Sequence, residues 1–347
     1  MKNKINRREF IKKSSSAVVG AGIALNSRMY IGAEPGKSRI VEVVHSGVVK
    51  DKRKVDVQAV KEMISIGIKT LTGSKNPWKQ FIKPEDRVGL KINTLGRPML
   101  YTHHELIQAI ADELLDIGVK EKNIIIWDRF EGHMKNSNFK FNNTGVGIQC
   151  YGTNSREKGV SRNDMNVFYE SSFDDPGKRD NNGTISPFSK IFTQDCNKII
   201  NMAILKDHTL SGVTLCLKNL AYGVCNNNNR FHGKEHIGPF ISGFCAMPQI
   251  KEKVVLHIID GLEACFDKGP VPSSPNVLYT PKTLWLGTDP VALDAVGFQA
   301  IDAKRKDKGL PPLSQTGRPV DHIKLAAQKG IGTDDLGKIK IDKIKLG

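Results

Sequence analysis

Residues 86–128 read DRVGLKINTLGRPMLYTHHELIQAIADELLDIGVKEKNIIIWD, and this stretch decides the fold. Arg87 to Ile92 is a short apolar run after the turn Lys83-Pro84-Glu85-Asp86, which predicts a strand. From His104 to Ile117, the residues Leu106, Ile107, Ile110, Leu114 and Ile117 recur at helical spacing. Gly118 supplies the stop. Asn123 to Asp128 holds three successive isoleucines and Trp127, the mark of a buried strand. Strand, helix, strand in this order is a βαβ unit.

The pattern extends both ways. Ile40 to Val49 is Val-rich and predicts a first strand. Val57 to Leu71 predicts a helix. Downstream, Lys198 to Leu205 predicts a strand and Ser211 to Leu220 a short helix. Val254 to Ile259 predicts a strand ending at Asp260-Gly261, and Thr283 to Leu286 another. Asp289-Pro290 caps an expected helix over Val291 to Ala303. A last helix is expected over Asp321 to Lys329, and a lysine-rich strand over 338–345. Residues 131–195 differ, being rich in Asn, Ser, Gly and Asp. They read as an irregular insertion, either a lid or binding loop or a variable surface decoration. The expected fold is α/β, a mainly parallel sheet with helices on both faces. It is Rossmann-like, yet neither G-x-G-x-x-G nor a Walker A sequence occurs.

The chain has 347 residues, 39% hydrophobic and 25% charged, which excludes collagen-like, coiled-coil and largely disordered classes. Its first residues read as an address. Asn6-Arg7-Arg8-Glu9-Phe10-Ile11-Lys12 matches a twin-arginine export signal, and a mild apolar run follows from Ala17 to Leu25. That run is shorter than the about 20 residues a span needs. Ile31-Gly32-Ala33 is a small-residue cleavage site, so residues 1–33 are expected to be a signal and 34–347 the α/β domain. The expected location is periplasmic or extracellular, with the twin-arginine export machinery as a partner and no membrane span after cleavage.

The formal charge is +16. The signal carries seven Lys/Arg and one acid, so +10 stays with the mature chain. Outside the cytoplasm, nucleic acid is not the expected partner of such a chain. A small anionic ligand, acidic polysaccharide or anionic surface fits better, beside the plain reading of a soluble cationic face. Six cysteines occur (Cys150, Cys196, Cys216, Cys225, Cys245 and Cys265) with no C-x-x-C pair. An iron–sulfur or zinc-ribbon motif is therefore not expected, and any disulfide pairing stays open.

Ligands of open α/β sheets bind beyond the carboxyl ends of the strands. The residues that follow the expected strands are Lys91 and Asn93, Asp128 with Arg129, Lys206-Asp207-His208, Asp260 with Glu263, and Asp289 with Asp294. Lys218-Asn219 ends an otherwise apolar helix and can face the same rim. Such groups need partners when buried. His232 and His236 stand four apart, the spacing that puts two imidazoles on one helical face, though Gly233 and the Asn226 to Asn229 tract weaken a helix there. Asp289 also reads as a helix N-cap and Asp260 as a turn residue.

Several runs together resemble the DUF362 family. They are Asp86 to Asn93, Leu205 to Leu220, Ile258 to Gly261, Gly269-Pro270, Gly287 to Asp294 and Ala327 to Leu336. The family's usual lysine-threonine-histidine run appears as Lys206-Asp207-His208. Many relatives carry a ferredoxin module, whose cysteines this chain lacks. The resemblance implies a fold and a site location and names no reaction.

The expected function is an exported enzyme acting on a small anionic or polyol-like substrate with a divalent metal. The metal ligands would come from His208, His232, His236, Asp260 and Asp294. Lys91, Lys206, Lys218 and His208 are the candidate catalytic groups, a desolvated lysine serving as base. Asn93, Asp128, Asn219 and Asp289 are the candidate substrate contacts. The alternative is a non-catalytic periplasmic protein that binds an anion on the same basic rim.

Overall fold

The computed structural model describes residues 37–50, 54–155 and 160–347. The signal expected over 1–33 lies outside the described residues. The strands are β1 Ser38–His45, β2 Val88–Lys91, β3 Ile124–Trp127, β4 Gln149–Cys150, β5 Asn163–Glu170, β6 Ile185–Ser189, β7 Lys198–His208, β8 Gly212–Val213, β9 Val254–Cys265, β10 Leu278–Tyr279, β11 Thr283–Gly287 and β12 Ile339–Leu346. The helices are α1 Val57–Thr72, α2 His104–Asp116, α3 Glu131–Lys135, α4 Leu215–Val224, α5 Lys234–Cys245, α6 Pro248–Lys253, α7 Pro290–Asp307 and α8 Asp321–Gln328.

The main sheet runs β12-β1-β11-β9-β7-β2-β3-β4, with β10 on β9 and β8 on β7. From β9 to β4 every neighbouring pair is parallel. β11 runs antiparallel to both β9 and β1, and β12 lies parallel to β1. Alternate side chains of the strands enter opposite cores. Val41, Val43, Leu90, Ile200, Met202 and Ile258 pack under α1 and α2. Ile40, Trp127, Ala203, Leu205, Ile259 and Trp285 pack under α4, α5, α7 and α8. The chain is thus an α/β protein with a mostly parallel sheet between helical layers.

The edges of the elements differ from expectation where polar residues are buried. β7 continues through Lys206, Asp207 and His208, and β9 through Asp260 to Cys265, so these residues lie within strands rather than after them. The expected helix at Ser211 begins only at Leu215, because Gly212 and Val213 pair back onto β7. Residues 131–195 hold α3, β4 at the sheet edge and the two-stranded β5–β6 sheet. All six cysteines are buried and unpaired. Among the described residues, no helix is long and apolar enough to cross a membrane.

Candidate functional site

The site lies at the carboxyl ends of β2, β3 and β7. Lys91 closes β2 with no exposure. Its Nζ donates to Asp128 Oδ1 at 2.7 Å and to the Ile92 carbonyl at 2.6 Å. α4 crosses directly above it. A Cβ on Gly223 would fall 2.4 Å from Lys91 Cε, so only glycine lets the helix pass so close. Asp128 also accepts from Thr94 N at 2.8 Å, Thr94 Oγ1 at 2.6 Å and Arg129 N at 2.8 Å. Burial alone would raise the Asp128 carboxyl, but Lys91 and these donors outweigh it and hold the acid below its ordinary value. Burial pushes the Lys91 amine down, and Asp128 offsets part of that.

An amide relay joins this pair to the next lysine. Lys206 Nζ donates to Asn93 Oδ1 at 2.8 Å. Asn93 Nδ2 donates to Asn219 Oδ1 at 3.0 Å, and Asn219 Nδ2 to Asn201 Oδ1 at 2.8 Å. Asn201 Nδ2 in turn meets the Cys216 carbonyl and His257 Nδ1, each at 3.1 Å. A chain of buried amides satisfied in this way is rigid.

Lys206 and Lys218 are different from Lys91. They are 0% and 2% exposed, yet neither forms an ion pair among the described residues. Lys218 Nζ lies 3.6 Å from the centroid of the Tyr222 ring, one helical turn on, and makes no hydrogen bond among the described residues. Burial lowers the Lys206 amine to about 8. Burial, followed by the charges of Lys206 and Arg129, lowers Lys218 to about 7. Arg129 is fixed beside them, its Nε donating to Asn226 Oδ1 at 2.6 Å and its Nη1 to Asn228 Oδ1 at 2.5 Å.

Three histidines feel the Lys218 charge. His208 Nδ1 accepts from Leu210 N at 3.0 Å and Ser211 N at 3.3 Å, which leaves its proton on Nε2. Burial, then Lys218, holds its pKa well below the ordinary value. The same two causes lower His232 and His322 to about 3. The result is a buried surface with lysines, a guanidinium and neutral imidazoles, whose nearby carboxylates are already paired, Asp128 with Lys91 and Asp207 with Arg318 at 2.8 Å.

The other candidates are held elsewhere. Asp260 accepts from His103 N at 3.0 Å, faces His103 Nδ1 at 2.8 Å and accepts from Leu262 N at 3.1 Å. Asp294 accepts from Cys216 N at 2.7 Å and Leu217 N at 3.0 Å, capping the start of α4, and burial raises it to about 8. Asp289 caps α7 through Val291 N at 2.9 Å and Ala292 N at 3.0 Å, and also takes Thr333 N and Ser38 Oγ. His232 precedes α5 while His236 lies within it, so the pair does not share a helical face. His236 Nε2 instead stands 3.3 Å from Glu235 Oε1. Among the described residues no three His, Cys, Asp or Glu side chains stand together as metal ligands. Of the expected metal ligands, Asp260 and Asp294 meet backbone N–H groups, and Asp260 also meets His103.

Sequence reasoning did not single out Tyr222, Asn201, His257 or His322. Tyr222 had a signal, since it stands four residues after Lys218 on a helix. His322 had none, as it arrives from α8, over a hundred residues later.

A family model described as a domain of unknown function, DUF362, matches residues 88–299. No curated protein matches the chain. Among solved structures, a protein of Thermotoga maritima determined by the Northeast Structural Genomics Consortium is similar at 12% identity with a TM-score of 0.37. The likeness covers 79% of this chain and 59% of that one, so this chain spans less than two thirds of its length.

Proposed function

The chain belongs to the DUF362 family, whose description names no function, and we propose from the site itself that it binds a small anion, a carboxylate or phosphate, between Lys206 and Lys218. One observation carries this reading. Two lysines are buried here and the charge of Lys206 lowers Lys218, while the carboxylates that act on Lys206, Asp128 and Asp207, are ion-paired to Lys91 and Arg318 instead. A buried charge without a partner is costly, and a bound anion supplies the missing countercharge. Arg129 adds a third cation and Asn93 a fixed neighbour for Lys206. No step of this reading passes through a metal.

The test is thermal unfolding of the full chain with phosphate or pyruvate, against chloride at equal ionic strength. Saturation at one hundred times Kd is expected to add about 2.7 kcal/mol. Lys206→Met and Lys218→Met are each expected to remove most of that gain. No stabilisation of the native chain by either anion would reject the reading. We also propose that the chain is exported through the twin-arginine route, on the strength of Arg7-Arg8 and the run Ala17 to Leu25. Replacing both arginines with lysine is expected to leave the protein in the cytoplasmic fraction.

A further inference from the structure

We propose that Lys218 is a nucleophilic amine that forms an imine with a small oxo acid, whose carboxylate is held by Lys206 and Arg129. The inference rests on the anion-binding reading and names its ligand class. Three lysines are buried at this end of the sheet, and their surroundings separate them. Lys91 is ion-paired to Asp128 and bonded to the Ile92 carbonyl. Lys206 is directed onto Asn93 Oδ1. Lys218 alone has neither a carboxylate nor a carbonyl partner among the described residues, only the face of Tyr222. A ring face attracts a cation far less than a buried carboxylate does, so it does not lock the amine in its protonated form. Burial and the neighbouring Lys206 and Arg129 favour the neutral amine further. A desolvated lysine beside another cation is the arrangement that makes an amine nucleophilic near neutral pH.

An inorganic anion would use the charges of this site and leave that amine idle. An oxo acid uses both, because its carboxylate and its electrophilic carbon are adjacent. The Lys218 Nζ lone pair attacks the carbonyl carbon, forming a C–N bond while the C=O π pair moves to oxygen. That oxygen takes up the proton the nitrogen loses, giving a carbinolamine. Protonation of its hydroxyl and departure of water leave the protonated imine, which releases that proton on returning to the neutral form. The balance is amine plus oxo acid giving imine plus water, with nothing oxidised or reduced.

The folded full-length chain is incubated with pyruvate and cyanoborohydride, digested and mapped by mass spectrometry. The reductant delivers hydride to the imine carbon, leaving a carboxyethyl group on the modified lysine. One adduct per chain is expected at Lys218, absent from Lys218→Arg and at least tenfold slower to form in Lys206→Met. Its rate should level off a little above pH 7, whereas labelling of exposed lysines keeps climbing towards pH 10. An unmodified Lys218 in native protein, or a Lys218 that labels with the pH profile of exposed lysines, overturns the inference. Thermal shifts with pyruvate separate the two readings. Stabilisation without an adduct rejects the imine and leaves the anion site standing, while neither stabilisation nor adduct rejects both.

Discussion

Lys218 holds its amine near neutrality at a cost to folding, and that cost has a definite pH dependence. Its folded pKa of about 7 lies below the ordinary 10.5. Between those values the unfolded chain binds a proton that the folded chain does not, so stability rises with pH across that window. The penalty is fully present below about pH 7. Lys218→Met keeps an unbranched side chain one atom shorter and removes the charge, so it is expected to raise the unfolding free energy at pH 6 to 7 by roughly a few kcal/mol, each pKa unit being about 1.4 kcal/mol. The gain should shrink towards pH 10. A gain over the native chain that is no larger at pH 6 than at pH 10 would contradict this. The gathering of these groups was legible from residue type, since Lys91, Asn93, Asp128, Lys206, Lys218 and Asn219 all interrupt apolar runs, where a polar group is costly to bury alone. Asp260 and Asp294 interrupt such runs equally. A carboxylate that meets backbone N–H groups satisfies the same demand as one that meets a ligand, and the sequence does not distinguish them.

The Asn tract shows how an element acquires a role that composition does not announce. Asn226 to Asn229 reads as a loop, yet it clasps residues 131–195 against the sheet. Asn227 Nδ2 donates to the carbonyls of Gly183 at 2.9 Å and Ile185 at 2.8 Å. Arg230, fully buried, completes the clasp by donating to Asp174, the Ser171 carbonyl at 2.5 Å and the Thr184 carbonyl at 2.7 Å. The same tract fixes Arg129 at the site, so the clasp and the site share residues. Arg230→Met leaves the buried Asp174 with Arg179 alone and takes a donor from the carbonyls of Ser171, Thr184 and Asn227, of which Thr184 keeps Ser171 N and Asn227 keeps Ser186 Oγ. The expected cost is about 3–5 kcal/mol by denaturant unfolding. Limited proteolysis should then cut between residues 171 and 186 before the rest of the chain, and uniform cleavage would argue that the clasp does not act as a unit. The late start of α4 has a similar origin. Leu215 adopts φ 45°, and the carboxyl that caps the next two residues comes from Asp294 on α7. A cap supplied from 78 positions away leaves no local signal at Ser211.

Across the whole molecule, periodicity identified the layers because a strand buried on both faces and an amphipathic helix are each dictated by what they pack against. Strand direction was less legible. β11 reverses the sheet between β9 and β1, and side-chain alternation is the same whichever way a strand runs. One consequence of the buried rim extends to the whole fold. His208, His232, His257 and His322 are all kept neutral by burial, the last three with values near 3. Each has a folded pKa below its ordinary 6.5, so the unfolded chain gains protons that the folded chain refuses. Their contribution is intact above about pH 6.5 and is lost as pH falls towards 3. Asp294 opposes them, since its raised carboxyl favours the folded state below 3.8 and loses that advantage as pH rises through about 8, and burial raises Asp207, Asp289 and Glu113 in the same direction. With His133 also lowered, five histidines stand against four carboxyls, so the test is made on one group at a time. His322 is the sharpest probe, because neither of its ring nitrogens has a hydrogen-bond partner among the described residues. His322→Leu removes a titrating group from a packed position without unpairing anything. It is expected to flatten the slope of unfolding free energy against pH by close to one proton while leaving stability at pH 8 within about 1.5 kcal/mol. An unchanged slope would mean that His322 protonates in the folded chain as readily as in the unfolded one, and that its surroundings are wetter than their burial implies.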